Sequence, residues 1–222
     1  MIGIDFKRKY YPLVLVLFVA GYMGAIFLNR YFDWLAMLTA GMISLVILYG
    51  SSNLNRFFQP LPSPKWRIVL KYVLLLFVME IVAIVVVAIV YPDALLSFRN
   101  TTMAARSTGL GVPLIERIWI AVTLLVSLVG EEVGMASISI PLIQLLSHTR
   151  LRKFAWPIIN VLGCVLFALM HLPHYHFNWI YPVIVGLTRY PITASWRSAN
   201  TLRSGIYVHW ISDAVLIIGT LI

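Results

Sequence analysis

From Ile118 to Leu146 the chain carries only two ionisable side chains, and they are neighbours: Glu131 and Glu132, within Gly130-Glu131-Glu132-Val133-Gly134. No other feature restricts the fold as much. A charge at the centre of a bilayer costs about 3 kcal/mol on insertion scales, and two carboxylates side by side also repel. Such residues face a bundle interior or a wet cavity and usually serve a function there. The plain alternative is a structural carboxyl, buried and hydrogen-bonded.

Composition sets the solvent. Of 222 residues 61% are hydrophobic and 11% charged, against about 25% charged in soluble domains. With a mean hydropathy of +0.91, this predicts an all-α, polytopic membrane protein. A single integral domain over 1–222 is expected, because no polar stretch could build a second core. The formal charge of +9 falls in short loops between apolar spans, where Lys and Arg set topology and meet lipid headgroups. No basic, aromatic-interleaved groove suggests nucleic acid. Cys164 is the single cysteine, which excludes an internal disulfide and a cysteine metal cluster.

A membrane helix needs about 20 apolar residues. Seven spans are expected, near 11–29, 32–50, 67–91, 116–147, 154–171, 177–196 and 203–222. The first follows Lys7-Arg8-Lys9 and is too long for a usual signal peptide, so it reads as an uncleaved helix. Segment 94–115 reads as a loop or a helix lying on the membrane surface. Span 116–147 is too long for a straight crossing and must tilt, break near Gly134 or extend past the bilayer. Segment 177–196 contains Pro182, Gly186 and Pro191 and is expected to be broken or re-entrant. With the N-terminus in the cytoplasm, Arg30, Arg99, Arg106 and Arg117 fall outside, and the other thirteen of the seventeen Lys and Arg fall inside. That asymmetry fits seven crossings of the cell membrane.

His171, His209, Asp213 and Glu80 are further ionisable groups in apolar spans. His209 and Asp213 are four residues apart and share a helix face, as do Phe167 and His171. A carboxylate and an imidazole flanking a water can act as base and acid in hydrolysis. A second histidine with an aspartate can donate to a developing oxyanion. Glu131, His171 and His209 could instead hold zinc through nitrogen and oxygen, with a position left open. Counted along literal spans, Glu131 lies at mid-membrane, His171 near the outer face and His209 ~9 Å from the inner face. Those depths do not meet without tilt, a break or a re-entrant segment. Trp156, Trp179 and Trp196 read as interfacial anchors, and His174 and His176 as loop residues at a membrane face.

Glu131-Glu132, then Phe167-Ala168-Leu169-Met170-His171, then His209-Trp210-Ile211-Ser212-Asp213 resemble the three motifs of the CAAX-protease and bacteriocin-processing (CPBP, Abi) membrane proteins. These include the Ras-converting type II CAAX prenyl endopeptidases. The family pattern is Glu-Glu-x-x-x-Arg, Phe-x-x-x-His and His-x-x-x-Asn/Asp, and the resemblance covers about 115–220. It implies an intramembrane endopeptidase acting on a peptide or membrane-protein substrate. Glu131 and His171 would activate water, His209 and Asp213 would hold the oxyanion, and Glu132 and Phe167 would support them. No cofactor is expected, zinc being the alternative. One departure stands out: the motif's arginine falls at Ala136. Either Glu132 is neutralised by a proton or an arginine from elsewhere, Arg189, Arg197 or Arg203, replaces it. The departure also fits a relative that is a non-proteolytic interaction or immunity protein. A proton-coupled transporter is a third reading, but the sequence shows no internal repeat to support it.

Overall fold

The computed structural model describes residues 4–29, 31–93 and 113–221. Among them there is no strand. The helices are α1 (Tyr11–Phe27), α2 (Asp33–Tyr49), the short α3 (Leu54–Phe57), α4 (Lys65–Val90), α5 (Leu114–Ser147), α6 (Ala155–His171), α7 (Ile180–Ala199) and α8 (Leu202–Leu221). The loop or surface helix expected over 94–115 lies outside the described residues, apart from its last three, which lead into α5.

Among the described residues, four helical stretches are long and apolar enough to cross a membrane: Arg8–Phe27, Trp66–Val90, Leu114–Ser147 and Arg152–His171. Asp33–Tyr49 with Ser51–Phe57, bent by 105°, makes a fifth. Seven were expected. Neither α7, with Arg189 and Arg197, nor α8, with Arg203, His209 and Asp213, is among these stretches. The polar residues of α7 lower its mean hydropathy, and many polar residues of this region turn inward. Arg189, Thr193, Ser195, Thr201, Ser204 and His209 are all buried.

Segment 177–196 is not broken. It lies largely within a single 20-residue helix, Ile180–Ala199. Pro182 sits in the first turn, where a backbone N–H has no helical acceptor. Pro191 gives up one internal bond, but α6 braces the helix beside it: Asn160 Nδ2 donates to the Tyr190 carbonyl at 2.9 Å. The long α5 is likewise continuous over 34 residues, with Pro141 inside it.

Helix α2 lies against α5 at backbone distance. A Cβ added at Gly41 would sit 2.8 Å from the Gly134 nitrogen and 2.9 Å from the Val133 carbonyl carbon. Small residues permit this approach, which is how helices pack where lipid supplies no hydrophobic drive. The main core gathers Val14, Phe18, Leu45, Phe57, Val133, Ile140, Phe167 and Trp196 from both halves of the chain.

Long-range hydrogen bonds close one end of the bundle. Gln144 donates to the Ile4 carbonyl at 2.9 Å and accepts from Tyr49 at 3.2 Å. Thr201, in the short turn between α7 and α8, donates to the carbonyls of Phe57 or Gln59 at 3.1 and 2.8 Å. Thr201 and Leu202 are fully buried, so that turn is recessed beneath the chain that follows α3.

Candidate active site

Glu132 points into the bundle from α5 and its side chain is 0% exposed, whereas that of Glu131 is 21% exposed. Adjacent residues on a helix are turned by about 100°, and this difference in direction separates their environments. Arg189 forms a bidentate ion pair with Glu132, Nη1 to Oε1 and Nη2 to Oε2. Trp196 Nε1 donates to Oε2 at 2.8 Å, and His209 Nδ1 donates to Oε1 at 3.0 Å. Each carboxylate oxygen thus accepts two hydrogen bonds, which fills its lone pairs. A buried ion pair of this kind needs good geometry and full satisfaction to offset its desolvation, and Glu132 has both.

Arg189 is itself held. Its Nε donates to Thr193 Oγ1 at 3.2 Å, and its guanidinium lies 5.2 Å from the Phe167 ring centre and 4.8 Å from that of Trp196. Both distances are within cation–π range. Arg189, Thr193 and Trp196 follow one another at helical spacing on α7 and form one stripe. On α8 the matching stripe is Gly205, His209 and Asp213. Gly205 is required for close approach: a Cβ there would collide with Trp196 Nε1 and lie 2.6 Å from Glu132 Oε2.

The other edge of His209 faces looser company. Its Nε2 is 4.0 Å from Glu131 Oε2 and 4.0 Å from Asp213 Oδ2, beyond hydrogen-bond reach of either. Glu131 makes no hydrogen bond among the described residues. The Asp213 side chain is 27% exposed, and its Oδ1 lies 2.9 Å from the Ser212 hydroxyl. On α4, Glu80 is near enough to Asp213 for their charges to interact.

His171 stands one turn beyond this group. Its Nδ1 donates to the Phe167 carbonyl at 2.8 Å; a carbonyl only accepts, so the proton is on Nδ1 and Nε2 is left with a lone pair. The Phe167 ring separates the two histidines, with centres 4.4 Å from His171 and 6.2 Å from His209. The structure therefore bonds Glu132 to His209, places Glu131 and Asp213 4.0 Å from the same imidazole, and brings His171 alongside through Phe167 without a hydrogen bond to any of them. Among the described residues, no group of three His, Cys, Asp or Glu side chains is placed to hold a metal ion.

The expected mismatch in depth has a plain resolution. From the helix ends on the basic side, Glu132 rises ~22 Å, Phe167 ~18 Å, Arg189 ~15 Å and His209 ~10 Å. The last figure is small because α8 starts inside the protein, under the loop that Thr201 binds, and not at its surface. No break at Gly134 is needed.

Two sequence expectations are corrected here. Trp196 is no interfacial anchor: it is 0% exposed and a ligand of Glu132. Trp156 is also buried, with the Arg197 guanidinium 5.9 Å from its ring centre, whereas Trp179 is 55% exposed. Among the arginines considered for Glu132, the partner is Arg189. Ala136 is fully buried. The polar stripe Arg189-Thr193-Trp196 was the available signal for the missed residues.

Beyond His171 the chain makes a turn over Pro173–Tyr175. His174 there stands 5.9 Å from the His171 ring. Partial burial, and secondarily the neighbouring His171, hold its pKa below the usual histidine value. Two grooves with apolar walls flank α7 nearby. One, of about 430 Å³, lies against α4 beside Tyr91 and Trp179. The other, of about 270 Å³, lies against α6 beside Cys164 and Ala168.

Compared with protein-family models, curated proteins and solved structures, the chain matches none.

Proposed function

We propose that the chain is an intramembrane endopeptidase, akin to the CAAX-protease and bacteriocin-processing family, that hydrolyses a peptide bond in a membrane-associated peptide or protein. One observation carries this reading. Of two adjacent glutamates, Glu132 is saturated by Arg189, Trp196 and His209, while Glu131 keeps a part-exposed carboxylate beside the unbonded edge of His209. A purely structural pair would have both carboxyls satisfied.

In this mechanism Glu131 takes a proton from a water whose oxygen attacks the scissile carbonyl carbon. His171, with its lone pair on Nε2, is the second acceptor for that water. With Nδ1 donating to Glu132, His209 carries hydrogen on Nε2 only as an imidazolium, and in that form it donates to the oxyanion. Asp213 steadies the imidazolium from one turn away. The proton then passes to the amide nitrogen, the C–N bond breaks, and the products are a carboxylate and an amine.

The proposal includes seven crossings of the cell membrane, with the N-terminus cytoplasmic, in which α7 and α8 cross despite their polar stripes. The ion pair of Glu132 with Arg189 supports this reading over a non-proteolytic relative, since the cation expected at position 136 is supplied by another helix.

The test is cleavage of a quenched-fluorescent peptide library by purified protein in detergent. Glu131→Gln and His171→Ala are expected to lose at least ~10²-fold. Equal cleavage by wild type and both variants overturns the assignment.

A further inference from the structure

We propose that Arg189 and Trp196 are positioning residues for His209, acting through Glu132. Neither reaches the open side of the imidazole, yet together they decide which way it faces. A glutamate side chain rotates freely unless both oxygens are claimed. Here Arg189 spans both oxygens and Trp196 adds a second donor to Oε2, at 2.8 Å. The remaining acceptor position on Oε1 is the one His209 Nδ1 fills at 3.0 Å.

The chain of support goes one step further back. Thr193 fixes Arg189 Nε, and the Phe167 and Trp196 rings hold its guanidinium plane. Gly205 leaves the space in which indole and carboxylate meet. A neutral imidazole has two tautomers and its ring can turn over. A fixed acceptor at Nδ1 removes that freedom and leaves Nε2 directed at Glu131 and Asp213, each 4.0 Å away. A buried acid that orients a histidine in this way is worth orders of magnitude in hydrolases of other folds. Here the acid needs an arginine and a tryptophan from a different helix to do so.

For its effect on turnover this inference rests on the endopeptidase reading; for its effect on the imidazole it rests on packing alone. The experiment separates the two. Protein labelled with ¹⁵N-histidine is studied in detergent by NMR, with the His209 signals identified by their loss in His209→Gln. Wild type is expected to show Nδ1 protonated, with a strongly hydrogen-bonded proton.

The double variant Glu132→Gln/Arg189→Gln removes both charges together, so neither is stranded. It is expected to show a mixture of His209 tautomers, and kcat lower by ~10²-fold with KM within about two-fold. Trp196→Phe keeps the aromatic wall and deletes only the N–H. It is expected to shift the same signals less far, and it provides the reading if the double variant does not fold. A folded variant of either kind with the wild-type His209 signature overturns the proposal. Shifted His209 signals in a protein whose wild type cleaves no peptide would uphold the positioning role and count against the endopeptidase.

Discussion

His209 has two sides that differ in nearly every physical respect. On one, Glu132 and Arg189 are fully buried, and the carboxylate accepts four hydrogen bonds. On the other, Glu131 and Asp213 are part-exposed and stand 4.0 Å off, too far to bond. Saturation fixes geometry but leaves nothing with which to bind a reactant. Looseness does the reverse. One imidazole joins the two, so the rigid side can set the aim of the open side.

The most forceful way to break the contrast is Arg189→Ala. It leaves Glu132 buried without a cation, and is expected to cost ~3–5 kcal/mol of stability, read as a large fall in Tm or in the yield of folded protein. Glu131→Gln tests the open side. It breaks no hydrogen bond among the described residues, so Tm should stay close to wild type even as cleavage is lost. A large fall in Tm would show that Glu131 is structural after all.

Gly205→Ala probes the boundary by forcing a methyl against Trp196 and Glu132. Overpacking of this order costs ~1–3 kcal/mol, measurable by thermal unfolding in detergent. The smallest effect is expected at His174. Its pKa is lowered in the folded protein, so the unfolded chain binds more protons as pH falls below the ordinary histidine value of about 6.5. Wild type should therefore lose a little stability from there down to the folded pKa. His174→Gln should remove that acid-side slope and leave stability above pH 7 unchanged.

The open side was the more legible in sequence. Glu131 stands out because the run around it has no other charge, and His209 and Asp213 are paired by helical spacing. The rigid side was legible only in part. An arginine was needed for Glu132, and three were available, but nothing local distinguishes Arg189 from Arg197 or Arg203. Trp196 was misread because a tryptophan next to Arg197 near a helix end has the composition of a membrane interface, and only tertiary packing shows it buried. The prolines of α7 misled in a similar way, since a brace from α6 cannot be read from α7 alone. The recessed turn at Thr201 depends on a loop some 140 residues earlier, and that displacement is what made the depths of the site seem incompatible.

The ion pair of Glu132 and Arg189 spans 57 residues of chain, and that separation has a consequence for how the protein is made. When α5 leaves the ribosome, its two glutamates have no cation to meet, because Arg189 and His209 are not yet synthesised. An unpaired carboxylate is costly within a bilayer, so α5 by itself is a poor membrane segment at its centre. Its stable settling waits for α7 and α8 to dock. The helices made last thus supply the partners on which the longest one depends.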